Sequence, residues 1–356
     1  MKRCIILLLL LESPLLAQEA NSGFELRTTV SAQAVYSREL EEEPRSGQPV
    51  AGGFRAMLYP TWKLSSHWAV AGAIQVHSRP YFWEQIPTQG YGVRGDVLQA
   101  HLTYSRFWKD RSLVVRAGQL SSAFGAFLLR YDDALNPLIN LPAAYGYYYK
   151  GVTNYGLTGA QVEATIGKLD ARAQFVNSSP ANRRSIFDRD QYGNWAGGAG
   201  YTIKQGFRVG VSAYRGPYLH RGYPYFFPGE ANPKSLPGSA YGLDAQWARG
   251  RWNLYGEWQR FQLAYKLIPT FQKRIGYAEA RCVLHPRWYA ATRVGYLSTT
   301  PYPSSETYYE MAGGYRPNRH QLIKFEYQIE RAGGKLENTF AVQLVTSFQA
   351  ISIARD

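Results

Sequence analysis

The chain has 356 residues, and its composition excludes two broad classes of exported protein. Cys4 precedes an apolar run at the N-terminus and Cys282 is the only cysteine after it, so a small fold held together by disulfides is excluded. The formal net charge is +14, but the 40 Lys and Arg residues are spread along the chain and form no basic tail. We therefore expect no nucleic-acid partner.

The N-terminus predicts a secretory signal peptide at residues 1–17. Lys2 and Arg3 precede an apolar run from Ile5 to Leu11, and Ala17 offers a small residue at the cleavage point. The run is too short to cross a bilayer as a helix. We expect the mature domain to cover residues 18–356.

Beyond the signal the apolar residues recur at every second position, first along Phe24 to Tyr36 and again from Trp68 to Val76. Such alternation is typical of strands with one apolar and one polar face. About sixteen segments follow this pattern, mostly near the length that a tilted transmembrane strand requires. The sequence therefore predicts an all-β fold, a transmembrane antiparallel β-barrel of about sixteen strands.

The connections between these segments alternate between short and long, apart from a short final one at 332–335. The short ones lie at 63–66, 109–111, 167–168, 205–206, 249–251, 286–287 and 317–319. The long ones lie at 37–51, 79–93, 120–154, 178–192, 216–238, 263–272 and 299–306. Barrels of the outer membrane have short periplasmic turns and long external loops. The chain is therefore predicted to be a multi-pass protein of the bacterial outer membrane.

Aromatic residues and the C-terminal strand agree with this orientation. Six tryptophans flank short turns and predict an aromatic girdle: Trp62, Trp68, Trp108, Trp247, Trp252 and Trp288. An alternating strand near the C-terminus resembles the insertion signal of outer-membrane proteins, with Phe340, Val342, Leu344 and Phe348 on one face. We expect the barrel assembly machinery, outer-membrane lipids and lipopolysaccharide as partners. Gln349 to Asp356 follow the aromatic residue at which such proteins usually end.

Three short motifs carry a family resemblance. Arg116-Ala-Gly-Gln119 closes a strand, Ala123-Phe-Gly125 follows it, and a strand begins at Gly156-Leu-Thr-Gly159. Together they resemble the phosphate-selective porin O/P-like family of Gram-negative outer-membrane porins. The resemblance implies a sixteen-stranded, trimeric diffusion channel for small solutes or anions. In general porins the loop after strand 5 folds inward, so residues 120–154, unusually apolar for a loop, are the candidate constriction.

Alternation also assigns charged residues to the face opposite the apolar row. With the constriction loop, the predicted pore-lining set is Arg27, Arg55, Arg116, Arg130, Asp132, Asp133, Lys150, Arg172, Arg208, Glu257, Glu279, Arg281, Arg293 and Glu310. Asp244, Lys324 and Glu326 have the same parity. One hypothesis is a transverse field between a basic wall and a more acidic arc. The alternative is that these charges pair across strands or solvate a wide lumen.

Several other functions remain open at this stage. Tyr81-Phe-Trp83 and the run from Tyr218 to Pro228 could stack sugar rings, which would make the protein a saccharide-selective porin. A barrel enzyme, a structural or adhesive surface barrel and a soluble secreted all-β protein are the remaining alternatives. The six histidines show no metal-ligand spacing, and no catalytic or phosphate-binding motif is present. We predict no enzyme activity and no cofactor.

Overall fold

The computed structural model describes residues 22–38, 40, 48–79, 81, 92–145, 153, 155–179, 193–218, 237–265, 269–301 and 304–354. The predicted signal peptide and Lys150 lie outside the described residues, as do Phe82, Trp83 and all of the 218–228 run except Tyr218.

Sixteen antiparallel strands form one closed barrel, in which each strand pairs with its neighbours in the chain and β1 pairs with β16. The strands are β1 Gly23–Ser37, β2 Val50–Lys63, β3 Trp68–Arg79, β4 Gly92–Phe107, β5 Arg111–Leu120, β6 Leu157–Ile166, β7 Leu169–Val176, β8 Asn194–Lys204, β9 Phe207–Pro217, β10 Pro237–Arg249, β11 Trp252–Leu263, β12 Phe271–His285, β13 Trp288–Thr300, β14 Ser304–Tyr315, β15 Gln321–Ala332 and β16 Lys335–Ala354. Closure leaves no free sheet edge, so the ladder can satisfy the strands' backbone groups without water. The predicted fold class is confirmed.

The two faces of the barrel invert the usual distribution of polarity. Outward positions are apolar and exposed, as at Val30 (40%) and Tyr36 (45%). Inward positions hold charged residues that are fully buried, including Arg55 (0%) and Arg293 (1%). This distribution is the one expected when lipid surrounds a barrel with a polar interior. Among the described residues, no helix is long and apolar enough to cross a membrane.

The up-and-down topology sorts the connections onto two ends of the barrel. The connections from even to odd strands lie at one end of the barrel, which we call the turn side. The start of β1 and the end of β16 lie at the same end. Connections from odd to even strands lie at the loop side. The β15–β16 hairpin is the tight exception there, because Gly333 and Gly334 both adopt positive φ, which a two-residue turn of this kind requires. The β13–β14 connection is only 301–303, shorter than predicted, because Ser298 pairs with Ser305 within the ladder.

The tryptophans and the last strand lie where the sequence pattern suggests. The six girdle tryptophans all lie at turn-side strand ends or turns, five of them exposed and Trp247 half-buried. In β16, Phe340, Leu344 and Phe348 are exposed on the outward face, and Val342 is half-buried. The strand continues past Phe348, with Ile353 pairing with Phe24 and Ala354 with Gly23. The residues beyond the usual end are therefore part of the ladder.

Candidate functional site

Residues 121–156 join β5 to β6, and we call them the lumen loop; their described part folds into the barrel. The structure describes 121–145, 153, 155 and 156 of this loop. Three apolar side chains attach it to the wall. Phe124 packs among inward residues of β8 to β11, Phe127 beside β12 and β13, and Leu138 against β13 to β16. All three are fully buried, so the loop replaces water as the filling of this part of the lumen.

The loop enters the lumen at Gly125, which has φ +78 and no room for a Cβ atom beside Tyr145 and Glu257. Its N–H donates to Ser212 of β9 at 3.2 Å, and its carbonyl accepts from Arg172 of β7. The Tyr145 hydroxyl donates to Glu257 of β11 at 2.6 Å and accepts from the backbone of residues 126 and 127. A glycine is needed here because its backbone is left-handed and closely packed.

Arg130 joins the loop to a charge network on β12, β13 and β14. Its guanidinium bonds Glu279, which also accepts from Arg293 at 3.0 Å. Arg293 continues the network to Glu310 at 3.1 Å and to the Asn140 carbonyl at 3.0 Å. Since all of these side chains are buried, each charge needs its partner to remain ionised.

Asp133 attaches the tip of the loop to β1 and β2. It accepts hydrogen bonds from Arg55 of β2 at 3.1 Å, Ser31 of β1 at 2.6 Å and Tyr81 at 2.8 Å. Burial alone would raise the pKa of this carboxyl. The opposing effects of Arg55 and Lys324 hold the pKa of Asp133 below its ordinary value. The ionised form is therefore the docked one.

Lys324 and Glu326 of β15 satisfy the backbone of the loop directly. The Lys324 ammonium donates to the carbonyls of Asp133 (2.8 Å), Asn136 (3.1 Å) and Leu138 (3.0 Å). The Glu326 carboxylate accepts from the N–H groups of residues 139 and 140. Because the loop is irregular, these buried backbone groups have no strand neighbour to bond with. The charged side chains of Lys324 and Glu326 provide the hydrogen bonds instead.

The loop leaves space against the wall formed by β1 to β6. A cavity of about 250 Å³ lies between this wall and the loop, with Arg27, Tyr59, His101, Tyr131 and Asp132 among its lining residues. A smaller cavity shares Gln99 and His101 with it and reaches Arg116 and Gln161. The two cavities therefore adjoin on this side of the lumen, and we call them together the passage.

Inside the passage the charges differ in how far they are balanced. Arg116 forms an ion pair with Glu163 at 2.6 Å, and Asp132 accepts from the Tyr59 hydroxyl at 2.5 Å. Arg27 lies over the Tyr59 ring at 5.9 Å, with no carboxylate partner among the described residues. Arg27 and Asp132 are therefore the two charged residues of the larger cavity without an ion-pair partner among the described residues, and only Asp132 is hydrogen-bonded, by the Tyr59 hydroxyl and the backbone N–H of residue 134.

The predicted pore-lining residues that the structure describes all lie on the inward face or on the lumen loop, and most are paired. Arg208 bonds Asp170 and Asp244 at 2.6 and 2.7 Å, and Arg281 lies over the Tyr289 ring at 4.7 Å. Arg55, Arg130, Glu257, Glu279, Arg293 and Glu310 hold the loop. Their part in ion selectivity stays a prediction. Because most of these charges are paired, any transverse field across the lumen would come from the few that are not.

Sequence reasoning missed Tyr59, His101, Tyr145, Glu163 and Asp170, although the parity that identified Arg55 also applies to Tyr59. Tyr81 and Tyr218, two of the residues predicted to stack sugar rings, are only 2% and 1% exposed. Tyr81 bonds Asp133 of the loop, and Tyr218 packs on Phe261 of β11. No group of three or more His, Cys, Asp or Glu side chains in the described part of the chain is arranged to hold a metal ion.

No protein-family model matches the sequence, and no curated protein matches it. Solved structures do share the fold. An anion-selective porin from Comamonas acidovorans is 12% identical, with a TM-score of 0.61 and coverage of 92% of this chain and 100% of that chain. OprB of Pseudomonas putida is 13% identical, with a TM-score of 0.61 and coverage of 92% and 94%. OmpT, an outer membrane protein of Vibrio cholerae in a trimer form, is 9% identical, with a TM-score of 0.56 and coverage of 92% and 100%.

At these identities the likeness is one of fold. The closed ladder, the outward apolar belt and the polar interior agree with it independently. The chain is a multi-pass transmembrane barrel of the type found in bacterial outer membranes, with the sixteen-stranded fold of the porins.

Proposed function

We propose that the protein is an outer-membrane porin, through which small hydrophilic solutes diffuse along the passage between the lumen loop and the wall of β1 to β6. The observation that carries the proposal is the course of the loop. Its polar contacts reach β7, β9, β11 to β13, β15, β1 and β2, and its two cavities are lined by inward residues of β1 to β4 and of β4 to β6. A barrel this wide needs such a constriction to become selective.

We further propose a preference for anions, because Arg27 has neither an ion pair nor a hydrogen bond among the described residues at the passage, whereas the Asp132 carboxylate is satisfied by Tyr59 and the backbone and Arg116 has a carboxylate partner. The phosphate-selective porin O/P-like resemblance and the likeness to an anion-selective porin agree with this direction. They leave the identity of the solute open between phosphate and other small anions.

Planar-bilayer recording tests both parts of this proposal. The refolded mature chain should give stable open steps, with a reversal potential of the anion-selective sign under a KCl gradient. Arg27→Gln should move this potential toward zero, while Arg331→Gln, on the outward face of β15, should leave it unchanged. Absence of steps from a folded barrel would overturn the porin proposal. A cation-selective potential in the native chain would overturn only the anion preference.

A saccharide-selective porin is the second candidate, and one observation favours it. Tyr59, Tyr131 and Tyr155 line the larger cavity, and the last two rings lie 4.7 Å apart. Aromatic faces at a polar passage could stack the apolar side of a sugar ring. Block of the open current by millimolar maltose or glucose, lost in Tyr131→Ala, would support this function over a simple ion pathway.

We propose a homotrimer on the likeness to OmpT in its trimer form. Above the turn-side rim, the described outward residues of β1 to β6 carry no charge and include Ala32, Ala34, Gly52, Ala56 and Gly72. A face of small uncharged residues lets barrel walls approach closely in lipid. This sector is the proposed contact between protomers.

A further inference from the structure

Three arginines lie on the outward, lipid-facing side of the barrel at its loop side. Arg215 of β9, Arg260 of β11 and Arg274 of β12 have the same parity as the outward residues of their strands, such as Trp258, so they point away from the lumen. The other charged outward strand residue that the structure describes on this side is Arg331 of β15. The cluster is therefore a local feature of β9 to β12.

The height of the cluster matches a membrane interface. Arg260 is eight residues along β11 from Trp252 of the girdle, and Arg215 is eight residues along β9 from Phe207 at the turn side. A tilted strand climbs about 20 Å over eight residues. The apolar belt of such barrels is about 25 Å tall, so the guanidinium groups reach its loop-side edge.

Arg260 and Arg274 lie directly opposite each other in the ladder. Like charges in this position repel one another. Arg260 donates to Gln272 at 3.0 Å, but its buried Nε has no partner, and no described carboxylate pairs with Arg215, Arg260 or Arg274. The other cross-strand neighbours of the pair, Tyr241 and Ser298, are uncharged. The described residues thus supply no counter-ion to this positive pair.

A groove next to the arginines can hold a hydrocarbon chain. It has a volume of about 550 Å³ and lies between Trp195 and Tyr241, both about 60% exposed, over a floor that includes Gly197 and Ala213. Arg215 lies among its lining residues. An apolar slot ending at an arginine has the polarity of a lipid with an anionic headgroup.

We propose that this surface binds one lipopolysaccharide molecule of the outer leaflet, with its phosphates on Arg215 and on the Arg260–Arg274 pair and an acyl chain in the groove. The assignment rests on the proposed outer-membrane orientation, in which the loop side faces outward. Guanidinium groups bind phosphate through paired, charge-assisted hydrogen bonds. Arg215 lies two strands from Arg260, about 10 Å across the sheet, a separation that suits a headgroup with two phosphates.

The test uses the full barrel refolded from urea in a neutral detergent and titrated with rough-type lipopolysaccharide. Binding should raise the midpoint of heat-modifiable gel migration and should require the phosphates, so dephosphorylated lipopolysaccharide should bind about tenfold more weakly or worse. Arg260→Gln/Arg274→Gln should lose affinity by a similar factor. Arg331→Gln removes the same outward charge elsewhere and should bind as the native chain does.

Folding failure is separated from binding by stability without lipid. Removal of the opposed charges should leave the double variant at least as stable as the native barrel in detergent alone, with the gain from lipopolysaccharide abolished. Equal binding of the dephosphorylated form, equal loss in Arg331→Gln, or equal stabilisation by phosphatidylglycerol vesicles would overturn the proposal. Bilayer conductance of the same samples tests the porin function separately, because none of these arginines faces the lumen.

Discussion

Replacement of Lys324 by methionine should detach the tip of the lumen loop while the barrel remains folded. The ammonium uses all three of its donors on loop carbonyls, at 2.8 to 3.1 Å, and takes no part in the strand ladder through its side chain. Methionine keeps a comparable length and apolar stem but donates nothing. The carbonyls of residues 133, 136 and 138 would then lose this buried donor.

The size of the effect follows from the number of bonds. Hydrogen bonds to a charged group contribute about 1.5–3 kcal/mol each, so three give an upper range of about 4–9 kcal/mol. Relief from burying an ammonium offsets several kcal/mol of this. We expect a net weakening of tip docking by about 2–4 kcal/mol, which changes the docking equilibrium by about thirtyfold or more.

Two assays report the change. Limited trypsin digestion of the folded barrel should cut after Arg130, which is 8% exposed in the docked loop, and single-channel steps should become larger and noisier. Lys335→Met, an exposed lysine at the start of β16, is the matched control. Native trypsin resistance and native conductance in Lys324→Met would refute the assignment of Lys324 as the anchor of the loop.

Three further predictions concern the loop and the assembly. Because the folded pKa of Asp133 lies below its ordinary value, its contribution to docking is complete above about pH 4 and is lost as the pH falls through the folded pKa. Channel conductance should therefore rise in strong acid. Asp133→Asn should raise the conductance at neutral pH, and native conductance that is insensitive to acid would contradict this prediction. Gly125→Ala places a Cβ against the Tyr145 hydroxyl at a positive φ, so loop docking should weaken by about 1–2 kcal/mol or more and trypsin sensitivity should rise, whereas Gly313→Ala, with open space around it, should change neither. Ala34→Arg on the outward face of β1 should yield monomers in light scattering of the detergent complex, with Ala278→Arg on β12 as the control, and trimers from both variants would move the interface elsewhere.

The sequence by itself determined the barrel, because period-two alternation repeats in every strand and short and long connections alternate between them. Most inward and outward assignments follow from parity, which explains why Arg55, Glu279 and Arg293 could be placed on the inner face. In β4 a bulge reverses the parity, so that Leu98 faces the lumen and Val97 faces outward. The number of strands followed from the same local signals. No long-range information was needed, since each strand pairs with its neighbours in the chain, apart from the closure of β1 on β16.

Only the tertiary structure decided what the inward charges do. Parity places Glu279 and Arg293 on the interior, where they lie opposite each other in the ladder. Their contacts with Arg130 and with the Asn140 carbonyl depend on the path of the lumen loop, which has no periodicity. The same holds for Lys324, whose three acceptors lie 186 to 191 residues away along the chain. The arginine pair on the outward face depends on the register between β11 and β12, because a shift of one residue would separate Arg260 from Arg274.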